Sequence, residues 1–340
     1  MERQTQWRSY AAPFMAIMLA GALLAGCGKE SNPQPDGGTA SNGQTGSSDS
    51  ATTNEGDAAN DPDGADQGET DRIVSEYEAL RTKPANAADR LAFLNANLAK
   101  LPKDAADRIM RDMLAFYDKD LEPAQQRLAD QRIDEQLAAI EWPITPEKLN
   151  QVTDEKAKQA IKDVWAQGYK LETTEGTIFP IVDYGLLKKY EGALSPELSA
   201  YIGLLALESD EKSASDAALV ISWDQLAERA LAYEVYSKQY PDAPETSQVK
   251  QLYHNYLSMY LYGLNNTPAY DFETFKLADE VKASYEKTAA EHPDTKTGEI
   301  VKGFLAVLEQ HDWQVFVNKN GEQADVPEVK AYREKVLAEL

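Results

Sequence analysis

The chain has 340 residues, a formal net charge of −23 and a single cysteine. Its apolar share of 42% is large enough to form a buried core. The negative charge excludes binding to nucleic acid or anionic lipid headgroups as a main activity, because an acidic surface repels phosphate. The lone cysteine excludes an internal disulfide and a metal site built on cysteines.

The first 26 residues have the layout of a secretory signal. Residues 1–9 carry Arg3 and Arg8, and the next 17, YAAPFMAIMLAGALLAG, contain no charged side chain. This uncharged run is shorter than the ~20 residues that a membrane-spanning helix needs, and Pro13 lies inside it. A retained membrane span is therefore the less favoured alternative, and we expect residues 1–26 to be a signal peptide that is removed.

The uncharged run ends in Leu24-Ala25-Gly26-Cys27. These four residues resemble the lipobox of bacterial lipoproteins, which has Leu, a small residue, Gly or Ala, and then Cys. The resemblance implies diacylglyceryl transfer to the Cys27 thiol, cleavage before Cys27, and an extracytoplasmic protein held at the cell membrane by acyl chains such as palmitate. Two or three such chains anchor a protein stably. An ordinary signal peptide with a stray cysteine is the alternative.

Residues 27–70 are predicted to be a lipidated cysteine followed by a disordered acidic tether. From Gly28 to Thr70 there is no Leu, Ile, Val, Phe, Tyr, Trp or Met, so nothing there can be buried. Nine acids against Lys29 give this stretch a net charge of −8. Residues 1–26 carry +1, and taking both parts away leaves about −16 on residues 71–340.

The body from residue 71 is predicted to be mainly all-α in class, because its apolar residues recur at intervals of three and four residues. The stripes are Ile73, Val74, Tyr77 and Leu80; Leu91, Leu94, Leu98 and Leu101; Ile109, Met113, Phe116 and Tyr117; and Leu128, Leu137 and Ile140. The prolines at 84, 102, 123 and 143 are placed between these helices. Short connections predict antiparallel helical hairpins, stacked as a bundle or a short solenoid.

Helix starts are predicted at two positions in the second half of the chain. Ser195 is suited to be an N-cap, with Pro196 at the first helical position. Ser222 and Gln225 have the spacing of a capping box ahead of a long helix.

One segment departs from the helical pattern. YKLETTEGTIFPIVDY, residues 169–184, has two β-prone runs on either side of Glu175-Gly176, which predicts a β-hairpin. Pro180 cannot donate to a ladder, so its strand belongs on an edge. An insert at 168–184 separates an N-terminal helical part, 71–167, from a C-terminal helical-repeat part, 185–340. The sequence leaves open whether these parts are two domains or one stack.

A repeated pattern at a constant offset of 52 residues supports stacking. The matched pairs are Tyr233/Tyr285, Glu234/Glu286, Pro241/Pro293, Asp242/Asp294, Val249/Val301 and Lys250/Lys302, with a weaker third copy around Pro102. Each copy reads as helix, Pro-centred turn, helix. The pattern resembles tetratricopeptide-like helical hairpins, although the spacing is 52 rather than 34 residues and the small-residue signature is incomplete. Chance similarity between two amphipathic helix pairs is the alternative.

No catalytic motif stands out in the sequence. None of the three histidines has the spacing of a metal motif, and there is no GxSxG elbow or phosphate-binding glycine loop. The sequence therefore predicts no metal site and no cofactor. Glu172, Glu175 and Asp183 around the hairpin are the first candidates for a glycosidase-like pair.

Tyrosines are concentrated in LYHNYLSMYLYGLNNTPAYDF, which contains Tyr253, Tyr256, Tyr260, Tyr262 and Tyr270. Tyrosine has an apolar body and a polar tip, so these five residues are the candidate binding surface for a peptide or glycan. The first three share one helical face, however, and a stripe at this spacing is more typical of a core.

Three functions remain at this point. The first is a membrane-anchored extracytoplasmic lipoprotein that serves as a helical binding or scaffold module for an envelope protein or wall polymer. The alternative is a receptor lipoprotein for a small molecule or glycan. The third is a wall-glycan hydrolase that uses the hairpin carboxylates. No nucleic-acid partner is expected.

Overall fold

The computed structural model describes residues 67–83, 86–138 and 140–340, and α-helices make up most of this part of the chain. The predicted mainly-α class is confirmed. Residues 1–26, the Leu24–Cys27 motif and the tether as far as residue 66 lie outside the described residues. The last four residues assigned to the tether belong to the first helix instead, where Thr70 is already buried.

Between residue 67 and the hairpin, the described residues form five α-helices. They are α1 (Gln67–Arg81), α2 (Ala87–Asn97), α3 (Lys103–Ala129), α4 (Asp134–Leu137) and α5 (Glu155–Ala166), with short 3₁₀ turns at Leu98–Lys100 and Lys148–Gln151. Pro102 precedes α3, as predicted, but Pro123 lies within that helix. Leu128, assigned to a fourth helix, is therefore part of α3. A proline inside a helix costs about 3 kcal/mol, and burial of Ala124 and Leu128 beside it offsets that cost.

The predicted hairpin is confirmed. Strands β1 (Tyr169–Thr174) and β2 (Thr177–Val182) pair antiparallel, and Leu171 lies opposite Pro180. The turn residues Glu175 and Gly176 have φ values of 51° and 79°, as the two-residue turn of a twisted hairpin requires. The sheet has two strands, so each has a free edge, and Pro180 is accommodated there.

The C-terminal half contains the longer helix pairs. A 3₁₀ segment (Tyr184–Ala193) leads into α6 (Pro196–Asp210), α7 (Trp223–Gln239), α8 (Thr246–Tyr262), α9 (Asp279–Glu291), α10 (Lys296–Gln310) and α11 (Pro327–Ala338). The Ser195 oxygen accepts from the amide of Leu198, with Pro196 at the start of α6. Ser222 and Gln225 form the reciprocal capping box of α7. Both predicted helix starts are confirmed.

Three small antiparallel strand pairs connect these helices. They are β3 (Ala214–Ser215) with β4 (Ala218–Leu219), β5 (Gly263–Leu264) with β6 (Thr267–Pro268), and β7 (Phe316–Lys319) with β8 (Glu322–Asp325). These strand pairs are not among the elements predicted from the sequence. Two-residue strands are too short to show an alternating pattern, so periodicity carries no signal for β3 to β6.

The helices of the C-terminal half pack on near neighbours in the chain: α7 contacts α6, α8, α9 and α10, and α10 contacts α9 and α11. The described residues belong to one compact unit. In the described part, no helix is both long and apolar enough to span a membrane.

Both main copies of the 52-residue pattern are helix, turn, helix. In each, the first helix ends two residues before the matched proline, Pro241 or Pro293, and the next helix starts within five residues after it. The matched tyrosines also make equivalent hydrogen bonds. Tyr233 donates to a backbone oxygen of the preceding helix α6 (3.1 Å), and Tyr285 donates to one of the preceding helix α8 (2.6 Å).

Candidate functional site

The tyrosine stripe on α8 lies inside the protein. Tyr253, Tyr256 and Tyr260 are 6%, 3% and 0% exposed. Their hydroxyls bond to side chains of three other helices: Tyr253 to Thr297 (3.0 Å), Tyr256 to Glu208 (2.8 Å) and Tyr260 to Ser284 (2.8 Å). Burial raises the pKa of Tyr260 to about 12. These three rings are core, so the candidate surface does not include them.

Tyr262, at the end of α8, packs against a buried arginine. The guanidinium of Arg333 on α11 lies 4.0 Å from the Tyr262 ring centre and 5.9 Å from that of Phe304. Arg333 is 3% exposed, and burial lowers its pKa. In the described part of the chain it forms no ion pair with a carboxylate, and its Nε has no hydrogen-bond partner. Tyr262 therefore joins α8 to α11 through the arginine.

We expect Arg333→Met to leave the free energy of unfolding within about 1 kcal/mol of the parent value, or to raise it. The reason is that an apolar side chain replaces a buried cation that has no carboxylate within ion-pair distance. Arg333→Ala should lower it by about 2–5 kcal/mol, since the space between the two rings is emptied. Urea denaturation of both variants measures this. Equal losses in both would show that the charge itself stabilises the fold.

Tyr270 is the member of the tyrosine set that lies in a cluster of surface rings. Its ring centre is 5.3 Å from that of Phe272, 6.5 Å from Phe275 and 4.7 Å from Phe316. We call these four residues the aromatic surface. Phe272 is 61% exposed, more than any other large hydrophobic residue that the structure describes. Tyr270, Phe275 and Phe316 are half-buried, so Phe272 is the ring of this cluster that is most available to a ligand.

The loop that carries Phe272 is held by its own hydrogen bonds. The Oδ1 atom of Asp271 accepts from the amides of Glu273 (3.1 Å) and Thr274 (2.8 Å) and from the Thr274 hydroxyl (2.8 Å). These bonds lower the pKa of Asp271. The amide of Phe275 then donates to the Asp271 carbonyl (2.8 Å). Phe272 lies within this turn, so the local geometry directs it away from the core.

The segment that contains Trp313 and Val315 holds the same loop through backbone hydrogen bonds. The amide of Val315 donates to the Phe275 carbonyl and that of Leu277 to the Trp313 carbonyl, both at 2.8 Å. Phe275 and Trp313 have φ values of 58° and 67°, which bulky residues adopt only at an energetic cost. The Lys282 ammonium lies 3.5 Å from the Trp313 ring centre. The aromatic surface is thus presented by a fixed, strained loop.

The two chain segments that carry the three phenylalanine rings are acidic. Residues 271–282, which carry Phe272 and Phe275, have four acids and two lysines, and residues 312–325, which carry Phe316, have three acids and one lysine. Each segment has a formal charge of −2. Lys282 is engaged with Trp313, so the freely exposed cations of these segments are Lys276 and Lys319.

Phe272, Phe275 and Phe316 are not among the site residues predicted from the sequence. A signal existed for Phe272 alone: Asp271-Phe272-Glu273-Thr274 has an Asp followed three residues later by Thr, which is typical of a side-chain-capped turn. An aromatic residue between the two acids of such a turn has no core to enter. Phe316 had no comparable signal, because its contact with Tyr270 joins residues 46 positions apart.

The hairpin carboxylates are engaged separately. Glu172 pairs with Lys212 (3.0 Å), and Asp183 caps the following 3₁₀ segment and lies 3.6 Å from Lys170. Glu175 is exposed in the hairpin turn. In the part of the chain that the structure describes, no group of three or more His, Cys, Asp or Glu is arranged to hold a metal ion.

A cavity of about 220 Å³ lies between α3, α5 and the hairpin. Its walls are apolar at Leu128, Val164 and Pro180, and Arg127 and Asp163 lie at its border. Arg127 is already paired with Asp120 at 2.8 Å. The cavity is small compared with the ~300–1,000 Å³ of typical ligand pockets.

The aromatic surface and this cavity are two features of the described residues that a ligand can reach. The aromatic surface has the stronger claim, because exposing Phe272 brings no gain to folding. Comparison with protein families, curated proteins and solved structures finds no match to this chain.

Proposed function

We propose that the chain is a membrane-anchored extracytoplasmic lipoprotein whose helical body binds an envelope protein or a wall polymer. The observation that carries the binding part is the aromatic surface, with Phe272 61% exposed on a loop fixed by hydrogen bonds. A rigid aromatic anchor loses little conformational entropy on binding. Aromatic side chains also dominate the energetic centres of protein interfaces.

The location rests on the sequence. Leu24-Ala25-Gly26-Cys27 follows an uncharged run behind a basic start, and acylation of Cys27 would anchor the body through two or three chains. The acidic tether that follows Cys27 would let the helical body extend away from the membrane.

We further propose that the C-terminal helices form a stack of tetratricopeptide-like hairpins. The equivalent hydrogen bonds of Tyr233 and Tyr285 to the preceding helix support it, because a repeat contacts its neighbour in the same way each time. Such stacks serve as scaffolds for protein binding.

Photo-cross-linking at position 272 tests the binding function. A benzophenone amino acid placed there, in the full-length chain and in the cells that make it, should form a covalent adduct with one envelope protein or with wall polymer. Val235 on α7 is the matched control, because it is 52% exposed and lies outside the aromatic surface. Identical adduct patterns from the two positions, or none from either, would contradict the proposal.

The receptor alternative has one observation in its favour, the cavity between α3, α5 and the hairpin. Its volume suits a ligand no larger than a single sugar or amino acid. The hydrolase alternative has no such support, because Glu172 and Asp183 are each bound to a different lysine.

A further inference from the structure

We propose that the aromatic surface binds a protein segment in which an apolar side chain is flanked by lysine or arginine. This inference rests on the proposed binding function and names the chemistry of its partner. It joins two observations, the exposed Phe272 ring within the cluster and the net negative charge of the segments that carry the phenylalanines.

The rings define the apolar part of the partner. Tyr270 contacts Phe272 and Phe316 edge to face, with ring-centre distances of 5.3 Å and 4.7 Å and interplanar angles of 69° and 63°. Phe272, packed on Tyr270 from one side, leaves most of its surface to solvent. An aliphatic or aromatic side chain can cover it and release water from both partners.

The negative charge of this chain indicates which residues flank the apolar side chain of the partner. Residues 271–282 and 312–325 each carry −2, within a body of about −16. Lysine or arginine residues of the partner are attracted by these acidic segments and by the negative charge of the whole body. This attraction accelerates association. An anionic wall polymer or an anionic membrane is repelled by the same field.

The polar groups beside the rings favour a peptide over a neutral glycan. A sugar ring needs several free hydrogen-bonding groups around an aromatic platform. Here the Oδ1 atom of Asp271 is occupied by three donors of its own loop, and the Gln323 amide donates to the Tyr270 hydroxyl at 3.4 Å. The exposed groups that remain in the loop beside Phe272 include the charged side chains of Glu273 and Lys276.

The test uses the full chain and short synthetic peptides that contain one tryptophan flanked by lysines. Fluorescence anisotropy should detect binding of this peptide and loss of affinity of about tenfold or more when its tryptophan is replaced by serine or its lysines by glutamate. Phe272→Ala should cause a similar loss, and Val235→Ala should cause none. Salt near 1 M, where the screening length is ~3 Å, should weaken binding.

Equal binding of the lysine and glutamate peptides, or an unchanged affinity in Phe272→Ala, would overturn the inference. A neutral glycan or wall polymer that binds in a Phe272-dependent way, where the lysine peptide does not, would also overturn it while leaving the proposed binding function in place. Failure of the proposed function itself has a different signature, namely the absence of any adduct specific to position 272.

Discussion

Replacing Glu234 with alanine is expected to lower the free energy of unfolding by about 3–5 kcal/mol, from the loss of several charge-assisted hydrogen bonds of about 1.5–3 kcal/mol each. The Glu234 side chain, on α7, is buried and reaches the first turn of α10. It accepts from the amides of Lys296 (2.6 Å) and Thr297 (2.9 Å) and from the Thr297 hydroxyl (2.7 Å). Lys238 lies 2.7 Å away on the solvent side.

These amides are among the first N–H groups of α10, and the first N–H groups of a helix have no hydrogen-bond acceptor within the helix. A carboxylate there satisfies them and interacts favourably with the helix dipole. Alanine leaves them buried without an acceptor. The substitution therefore removes the link between α7 and α10 as well as the bonds themselves.

The repeated pattern supplies a matched control. Glu286 occupies the position equivalent to Glu234, but it is exposed and lies 3.9 Å from Lys282. Glu286→Ala should change the free energy of unfolding by less than about 0.5 kcal/mol. Guanidinium denaturation compares the two variants, and similar losses in both would contradict the assigned role of Glu234.

Stability should also depend on pH through Glu234. Burial alone would raise its pKa, but the hydrogen bonds from Lys238, Thr297 and Lys296 outweigh burial and hold the pKa below the ordinary value of 4.5. Because the folded pKa is the lower one, the contribution is fully present above pH 4.5 and is lost as the pH falls through the folded pKa. Glu234→Gln should remove this component of the acid sensitivity.

Replacing Cys27 with serine is expected to transfer the protein completely from the membrane fraction to the soluble fraction or to leave it unprocessed at the signal peptide. A serine hydroxyl cannot form the thioether that carries the diacylglyceryl group. Without acyl chains, no part of the acidic body favours an anionic membrane.

Gly28→Ser is the control, because it adds a hydroxyl at the next residue and leaves the thiol in place. Fractionation followed by immunoblotting measures both variants. Retention in the membrane fraction of a Cys27→Ser protein that has lost residues 1–26, at the level of Gly28→Ser, would contradict anchoring by acyl chains on Cys27.

Local signals were sufficient for the parts of the fold that depend on neighbouring residues. Ser195 and Ser222 cap helices through bonds to residues three positions away, and Glu175-Gly176 makes its turn alone. The turn between β7 and β8 is Asn320-Gly321, a strong hairpin signal that the sequence analysis passed over. Pro123 was misplaced because burial around it outweighs a local rule.

The candidate site required contacts that periodicity does not encode. The stripe of Tyr253, Tyr256 and Tyr260 has core spacing, and its core position agrees with that spacing. Tyr270 differs because its neighbour Phe316 comes from a distant segment. No local pattern indicates that two such segments meet at a surface.

The claim on which the partner and the location both depend is that the body is held outside the cell by acyl chains on Cys27. Mass spectrometry of the N-terminal peptide, from protein purified out of the membranes of the cells that make it, tests this most directly. We predict a peptide that begins at Cys27 and carries the mass of a thioether-linked diacylglyceryl group. A peptide that begins at Met1, or a Cys27 with a free thiol, would contradict it.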